Sequence, residues 1–273
     1  DFKFFSGCDI MSAERRRGCG GMKKGNTMKN SVVIAYYNGK QYIKEQVDSI
    51  LGQLGAEDEL IISVDSDQDG SGELLREMAE NDGRLKLIKG PGQGVVKNFQ
   101  NGLLHCTGDL IFLADQDDVW LPQKVEKVTA CFQDPDVTVT VHNAQISDEG
   151  LKALDETTFQ WRDSGAGFWK NIKKNSYIGC CMTFRRDILN RILPVPDSIW
   201  IHDQWIGLLA EQLGNPVFLE DVLLLYRRHG ANVTELTHGS VISMLKKRYD
   251  MIMGINRRIR RWKREDAKKK KFL

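Results

Sequence analysis

Apolar positions along the chain fall into short continuous runs separated by polar spacers of helix length. Residues 31–37 (SVVIAYY) form the first run, suited to a buried strand, and Asn38-Gly39 breaks it. From Tyr42 the period becomes helical, with Ile43, Val47, Ile50 and Leu51 on one face. Residues 59–65 predict a second strand, and the polar turn 66–71 leads to a helix over 72–80. A third strand is expected over 85–89, a glycine-rich loop over 90–94 and a helix over 95–104. Residues 109–114 (DLIFLA) are the fourth strand and the most continuously apolar. A helix is expected from about Pro122, since proline suits a helix's first turn, and residues 137–141 alternate as a fifth strand.

Strands joined by helix-length spacers imply βαβ units and a largely parallel sheet. In such a sheet ligands sit beyond the carboxyl ends of the strands. Asp65 ends the second strand and the acidic run 115–118 follows the fourth, so the topology brings both to one edge. After Asn143 the rhythm loosens. Residues 151–176 are aromatic-rich without a period, a helix is expected near 185–192, and Pro194 and Pro196 mark a loop. A helical run opens at His202 and ends near Leu213, and 217–219 and 222–226 are strand candidates. The expected organisation is a disordered leader over 1–30, one body over 31–239 and a basic amphipathic helix or tail over 240–273. The body divides into a first half, 31–142, and a second half, 143–239.

Composition changes this picture in three places. The formal charge is only +2, but from Val241 onward there are thirteen Lys or Arg against three acids. That segment carries +10 and leaves −8 for the other 240 residues, which gives the tail a partner of its own. The six cysteines form no CxxC pair, so neither a zinc site nor a disulfide framework is indicated, and reduced thiols in the cytoplasm are expected. No apolar run approaches the ~18–20 residues of a membrane span. The first residues turn from apolar (2–5) to basic and glycine-rich (15–21), which is not a signal-peptide order; Met22 and Met28 are alternative starts.

Asp115, Asp117 and Asp118 place three carboxylates within four positions. A divalent cation relieves their repulsion, and hard oxygen ligands suit Mg²⁺ or Mn²⁺. A solvated turn capping the next helix is the alternative, and spacing alone does not separate the two.

The surroundings of this turn resemble a known family. Asp115-Gln-Asp117 is similar to the Asp-x-Asp signature of GT-A-fold glycosyltransferases, and the block 108–122 (GDLIFLADQDDVWLP) resembles family 2. In order along the chain, residues 31–38, Ser63-Val-Asp65, Lys97-Asn98, His202-Asp203 and the stretch 226–234 (YRRHGANVT) resemble further family blocks. The last is similar to bacterial rhamnosyltransferase-like members. The likeness covers residues 31–234.

It implies a GT-A fold: a Rossmann-like, mostly parallel central sheet flanked by helices. It implies that Asp65 meets the nucleobase, with Asp67 a weaker candidate because Ser66 stands where many relatives have a second Asp. Tyr36 and Lys97 would lie near the nucleotide, Lys97 keeping the charge of the usual Arg without its planar fork. Asp115 would contact ribose or sugar, and Asp117 would bind the metal that bridges the diphosphate. Arg228 or Arg227 would reach the diphosphate. His229 would complete the metal shell, unless it is a surface or packing residue. Asp203 would be the catalytic base, with His202 as fallback; the alternative for Asp203 is a carboxylate stabilised by a helix N-terminus.

The implied activity is inverting transfer of a sugar from a dTDP- or UDP-sugar to a hydroxyl of a surface-glycan or lipid-linked saccharide. A nucleotidyltransferase is the first alternative, but residues 36–40 lack its glycine-rich loop, and 90–94 matches no P-loop. A non-catalytic nucleotide-sugar-binding module would have lost Asp117 or Asp203, and both are present. A processive synthase is disfavoured, since His202-Asp-Gln-Trp205 replaces its Gln-x-x-Arg-Trp signature.

Trp161, Trp169, Trp200 and Trp205 would stack on acceptor sugars or pack in the core. In the tail, Met244, Leu245, Tyr249, Ile252, Met253, Ile255, Ile259 and Trp262 recur at helical spacing among basic residues. That suits an interfacial helix on the anionic inner face of the cell membrane, a solvated tail, or a helix packed on the body. No aromatic-basic reader motif supports nucleic acid binding.

Overall fold

The computed structural model describes residues 28–230 and 240–270. The first half alternates as expected: β1 (Asn30–Tyr37), α1 (Lys40–Leu51), β2 (Glu59–Ser66), α2 (Gly72–Asn81), β3 (Leu85–Lys89), α3 (Val95–Leu103) and β4 (Leu110–Ala114). A two-residue strand β5 (Val119–Trp120), α4 (Lys124–Cys131), β6 (Val137–Ser147) and β7 (Ala153–Thr157) follow. Then come α5 (Thr158–Arg162), α6 (Phe168–Lys173), β8 (Met182–Arg185), α7 (Leu189–Ile192), α8 (His202–Ala210), β9 (Asn215–Arg227) and α9 (Val241–Lys269).

All nine strands of the described residues belong to one sheet, ordered β3-β2-β1-β4-β8-β6-β9-β5, with β7 paired to β6. The β3-β2-β1-β4 segment is parallel. Its central strands are buried on both faces, which is why β1 and β4 read as unbroken apolar runs. β8 enters antiparallel between β4 and β6. β9 then runs parallel to β6 along nearly the whole of both strands.

Several expectations change. The fifth predicted strand extends to Ser147, because its second half pairs with β9, a partner some eighty residues away. The two strand candidates near 220 are one thirteen-residue strand. The aromatic stretch holds β7, α5 and α6, elements too short to display a period. The helix expected over 185–192 is a strand end, a 3-10 turn over Arg186–Ile188 and the single turn α7. The helix expected from Pro122 begins at Lys124, because Gln123 is left-handed at φ 69°. At the other boundary, Lys29 and Asn30 already belong to the body. The Asn30 amide donates to Asp58 Oδ1 at 2.7 Å and that of Lys29 to Asp109 Oδ2 at 3.0 Å. Met28 packs against the core as well, and residues 1–27 of the expected leader lie outside the described residues.

α9 packs on α6 and α8. Met251, Ile255 and Trp262 are buried, and Gly254 admits the Trp205 ring, which lies 3.1 Å from where a Cβ would stand. Arg258 is buried too. Its Nη1 donates to the carbonyls of Arg191, Ile192 and Leu193 at 2.6–2.9 Å, and its Nη2 to that of Pro194. Trp262 Nε1 adds a bond to the Arg191 carbonyl at 3.0 Å. A helix end leaves its last carbonyls without intrahelical partners, and α9 supplies them to α7. Cys106, Cys180 and Cys181 are buried free thiols. Among the described residues no helix is long and apolar enough to cross a membrane.

Candidate functional site

The carboxyl ends of β2 and β4 carry the two acidic groups to one edge, on either side of β1. Asp65 Oδ1 accepts the Gly92 amide at 2.8 Å, and the Gly90 amide donates to Val64 O at 2.8 Å. A Cβ on Gly90 would overlap Asp65 Oδ1, so only glycine lets this loop lie against the carboxylate. Asn98, in the first turn of α3, is buried and donates to the carbonyls of Tyr36 (3.2 Å) and Ser63 (2.9 Å), tying α3 to two strand ends. Lys97 next to it turns away towards the loop before α8. Its Nζ lies 3.0 Å from Val195 O and 2.6 Å from the exposed Asp197 carboxylate. Asp67 is exposed at the entry to α2, where a Cβ on Gly72 would overlap its Oδ2. Tyr36 is fully buried, with its hydroxyl 3.3 Å from Asp69 Oδ2 in the loop that follows β2. Burial pushes that hydroxyl up to about 12.

The acidic turn is fastened from three sides. Gln116, its middle residue, pairs with the Tyr37 backbone, accepting its amide at 2.8 Å and donating to its carbonyl at 3.1 Å. Gln46 of α1 donates to the Asp115 carbonyl at 2.7 Å. Arg227, the last residue of β9, supplies the third hold. Its amide donates to Asp118 Oδ1 (3.0 Å), and its guanidinium bonds Asp117 O (2.7 Å), Glu149 O (2.7 Å) and Glu45 (2.5 Å). Sequence reasoning grouped Arg227 with Arg228 as a diphosphate contact; instead it is buried as a brace beneath the turn. Arg228 sits above Trp161, its guanidinium 5.3 Å from the ring centre.

Within this frame Asp117 Oδ2 and His229 Nε2 are 2.7 Å apart, and the His229 ring stacks on Tyr42 at 4.7 Å. Two adjacent ligands around an octahedral ion with bonds of about 2.1 Å stand about 3 Å apart. The pair therefore fits two positions on such an ion with only a small opening. Asp115, Asp118 and Cys180 also lie with potential ligand atoms within 4.8 Å of one another. Burial raises the Asp115 carboxyl to about 7, with Asp117 and Asp203 adding repulsion, and pushes Asp118 well above the carboxylate range. Asp118 Oδ2 has no hydrogen-bond partner among the described residues. Lys124 was not singled out in the sequence. It is buried nearby, donates to Cys180 O at 2.9 Å and sits 3.9 Å from the Trp120 ring centre; burial lowers it to about 8.

Asp203 lies in the first turn of α8. Its Oδ2 accepts the Gly179 amide at 3.2 Å, and its Oδ1 accepts the Gln204 amide at 2.5 Å and Asn175 Nδ2 at 3.3 Å. Burial outweighs these bonds and raises the group to about 7. Its charge contributes to the Asp115 shift, so the α8 carboxylate and the acidic turn share one field. His202 stacks on Phe99 at 4.1 Å, and burial pushes it down to about 3, leaving a neutral packing ring. Of the four tryptophans, Trp205 is core, with Nε1 bonded to Ile192 O at 3.0 Å, while Trp169 and Trp200 are exposed. Trp161 carries the Arg162 and Arg228 guanidinium groups.

Comparison with known proteins agrees with this layout. The family model described as Glycosyl transferase family 2 matches residues 31–193. An uncharacterized glycosyltransferase of Nostoc sp. is 29% identical over 213 residues, covering 75% of this chain and 66% of that protein. The Bacillus subtilis glycosyltransferase EpsJ, also uncharacterized, is 31% identical over 246 residues, covering 80% of this chain and 67% of its own length. Among solved structures, Staphylococcus aureus TarS in complex with UDP-GlcNAc superposes with a TM-score of 0.65 at 18% identity, covering 85% of this chain and 66% of that one. Mannosyltransferase PcManGT from Pyrobaculum calidifontis, in complex with GDP-Man and Mn²⁺, gives 0.58 at 16% identity, covering 76% and 59%. The chain thus spans about two thirds of the length of these proteins. The sheet order, the fastened acidic turn and the match over residues 31–193 lead to one conclusion: the chain belongs to glycosyl transferase family 2 and has its GT-A fold.

Proposed function

We propose that the protein transfers a sugar from a nucleoside-diphosphate sugar to an acceptor hydroxyl, with inversion at the anomeric carbon. The observation that carries this reading is the pairing of Asp117 with His229 on a braced turn whose field extends to Asp203. Asp65 and the glycine loop would receive the base, and Asp115 the ribose or sugar. Asp117 and His229 would hold a Mn²⁺ or Mg²⁺ ion, which when bound neutralises charge developing on the departing diphosphate. Asp203, accepting two backbone amides, is oriented to take the proton of the attacking hydroxyl. A carboxyl titrating near neutrality suits that task, being partly ionised at neutral pH yet basic enough to accept a proton. One in-line displacement needs one base and no covalent nucleophile.

The donor is proposed as a UDP- or dTDP-sugar. TarS is a neighbour in complex with UDP-GlcNAc, and the block from Tyr226 resembles rhamnosyltransferase-like members. A hydroxyl of a surface glycan or of a lipid-linked saccharide is the proposed acceptor. The test is a calorimetric titration of UDP, dTDP, GDP and CDP, with and without Mn²⁺, on the wild type and Asp117→Ala. Binding of one nucleotide that requires both metal and Asp117 is the expected result. Failure of all four nucleotides under every metal condition would overturn the donor-site assignment.

A further inference from the structure

The packing of α9 uses one face only. Met251, Ile255, Arg258 and Trp262 point into the body. On the opposite face, Ile242, Leu245 and Tyr249 recur at spacings of three and four and are 79%, 58% and 62% exposed. Two further large exposed rings, Trp200 and Trp169, lie on segments next to α9. Lys247 lies over Trp200 at 4.2 Å, and Arg248 donates to Lys173 O at the end of α6, the helix that carries Trp169. An apolar stripe of this kind, on a helix already docked to its own domain, is not needed for folding.

The charge around it selects the occupant. α9 has eleven Lys or Arg and three acids. Two of the acids are engaged, Glu265 with Arg261 (2.6 Å) and Asp266 with Arg191 (2.5 Å). Along the outward face the apolar first half gives way to Arg257, Arg260, Lys263 and Arg264. Two such faces repel each other, which argues against self-association. An anionic bilayer satisfies both halves, taking the apolar side chains below its headgroups and the basic ones at its phosphates.

We infer that the outward face of α9, with Trp169 and Trp200, is a docking surface for an anionic lipid membrane. Its place in the fold gives this a consequence. Asn175, two residues past the Lys173 carbonyl that holds Arg248, donates to Asp203. On the proposed reading of Asp203 as the base, a saccharide whose lipid remains in the bilayer would present its hydroxyl beside that carboxylate.

The test is co-sedimentation of the full chain with phosphatidylcholine vesicles and with vesicles also containing phosphatidylglycerol. Sedimentation with the anionic vesicles only, reduced by salt, is expected. The triple variant Ile242→Ser/Leu245→Ser/Tyr249→Ser should weaken it about tenfold or more, and Lys246→Glu/Lys247→Glu should weaken it too. Circular dichroism and nucleotide titration should be unchanged in both, which separates loss of docking from loss of folding or of the donor site. Absence of wild-type binding to anionic vesicles would overturn the inference, as would a triple variant that binds like wild type. So would a wild-type dimer that the triple variant converts to monomer without any vesicle binding in either. None of these readouts requires sugar transfer, so the inference can fail while the proposed activity stands.

Discussion

A carboxyl group placed at the start of a helix and accepting backbone amides is ordinarily an acid held in its charged form. Asp203 departs from that because its burial costs more than its hydrogen bonds return, and it titrates at about 7. The charged groups near enough to act with it are the Arg162 guanidinium, which lowers it, and the Asp115 carboxyl, whose own shift Asp203 increases. If Asp203 is the base, its protonation switches off catalysis. The rate at saturating donor should then be flat above pH about 8 and fall tenfold per pH unit well below pH 7. Asp203→Asn should lower kcat by about 10²–10⁴-fold while leaving nucleotide affinity within about twofold. An unaltered pH profile in the variant's residual activity would remove Asp203 from the proton path.

At the scale of elements, two arginines do work that their exposure in a sequence would not suggest. Arg227 fixes the acidic turn from below through one amide and a full guanidinium fork. Lysine cannot reproduce a planar fork, so Arg227→Lys should loosen the turn though it keeps the charge. Partners that orient metal-binding side chains typically matter by about 10–100-fold in metal affinity. A Mn²⁺-dependent nucleotide titration should therefore weaken by about tenfold or more in Arg227→Lys, with thermal stability nearly intact. Arg258 makes the comparable contribution between α7 and α9. Its replacement by Ala leaves carbonyls of residues 191–194 without that donor and should cost about 2–4 kcal/mol, read by urea denaturation. These roles were not legible in the sequence because they depend on strand partners far along the chain. Lys124 escaped notice for the same reason. By contrast, the acidic turn itself was legible, since an apolar run ending in clustered carboxylates is a local pattern. The burial of Tyr36 was not legible, because the local pattern did not say which of Tyr36 and Tyr37 packs into the core.

Over the whole molecule, the parallel β3-β2-β1-β4 half was readable from periodicity, because each strand there is a separate short run. The second half was not, because its order comes from the long β6–β9 pairing and from helices of four to six residues. The two halves meet at the acidic turn, where Arg227 of β9 holds Asp117 and Asp118, so ligands there should couple to global stability. With Mn²⁺ present throughout, donor nucleotide at about a hundred times its dissociation constant should stabilise the fold by about 2–3 kcal/mol, seen as a raised Tm. A chelator should remove that increment, whereas a Tm indifferent to both additions would detach the acidic turn from nucleotide binding.

The Arg258 contacts bear on how this family is divided in practice. The family match ends at residue 193, in the middle of the four carbonyls that α9 bonds from more than sixty positions downstream. A chain trimmed at that limit would keep every strand of the parallel half and its acidic turn. It would also leave hydrogen-bond acceptors bare at its new end and lose the helix that holds Trp205. Homology boundaries mark where relatives stop resembling one another; the physical unit of folding here runs on through Trp262.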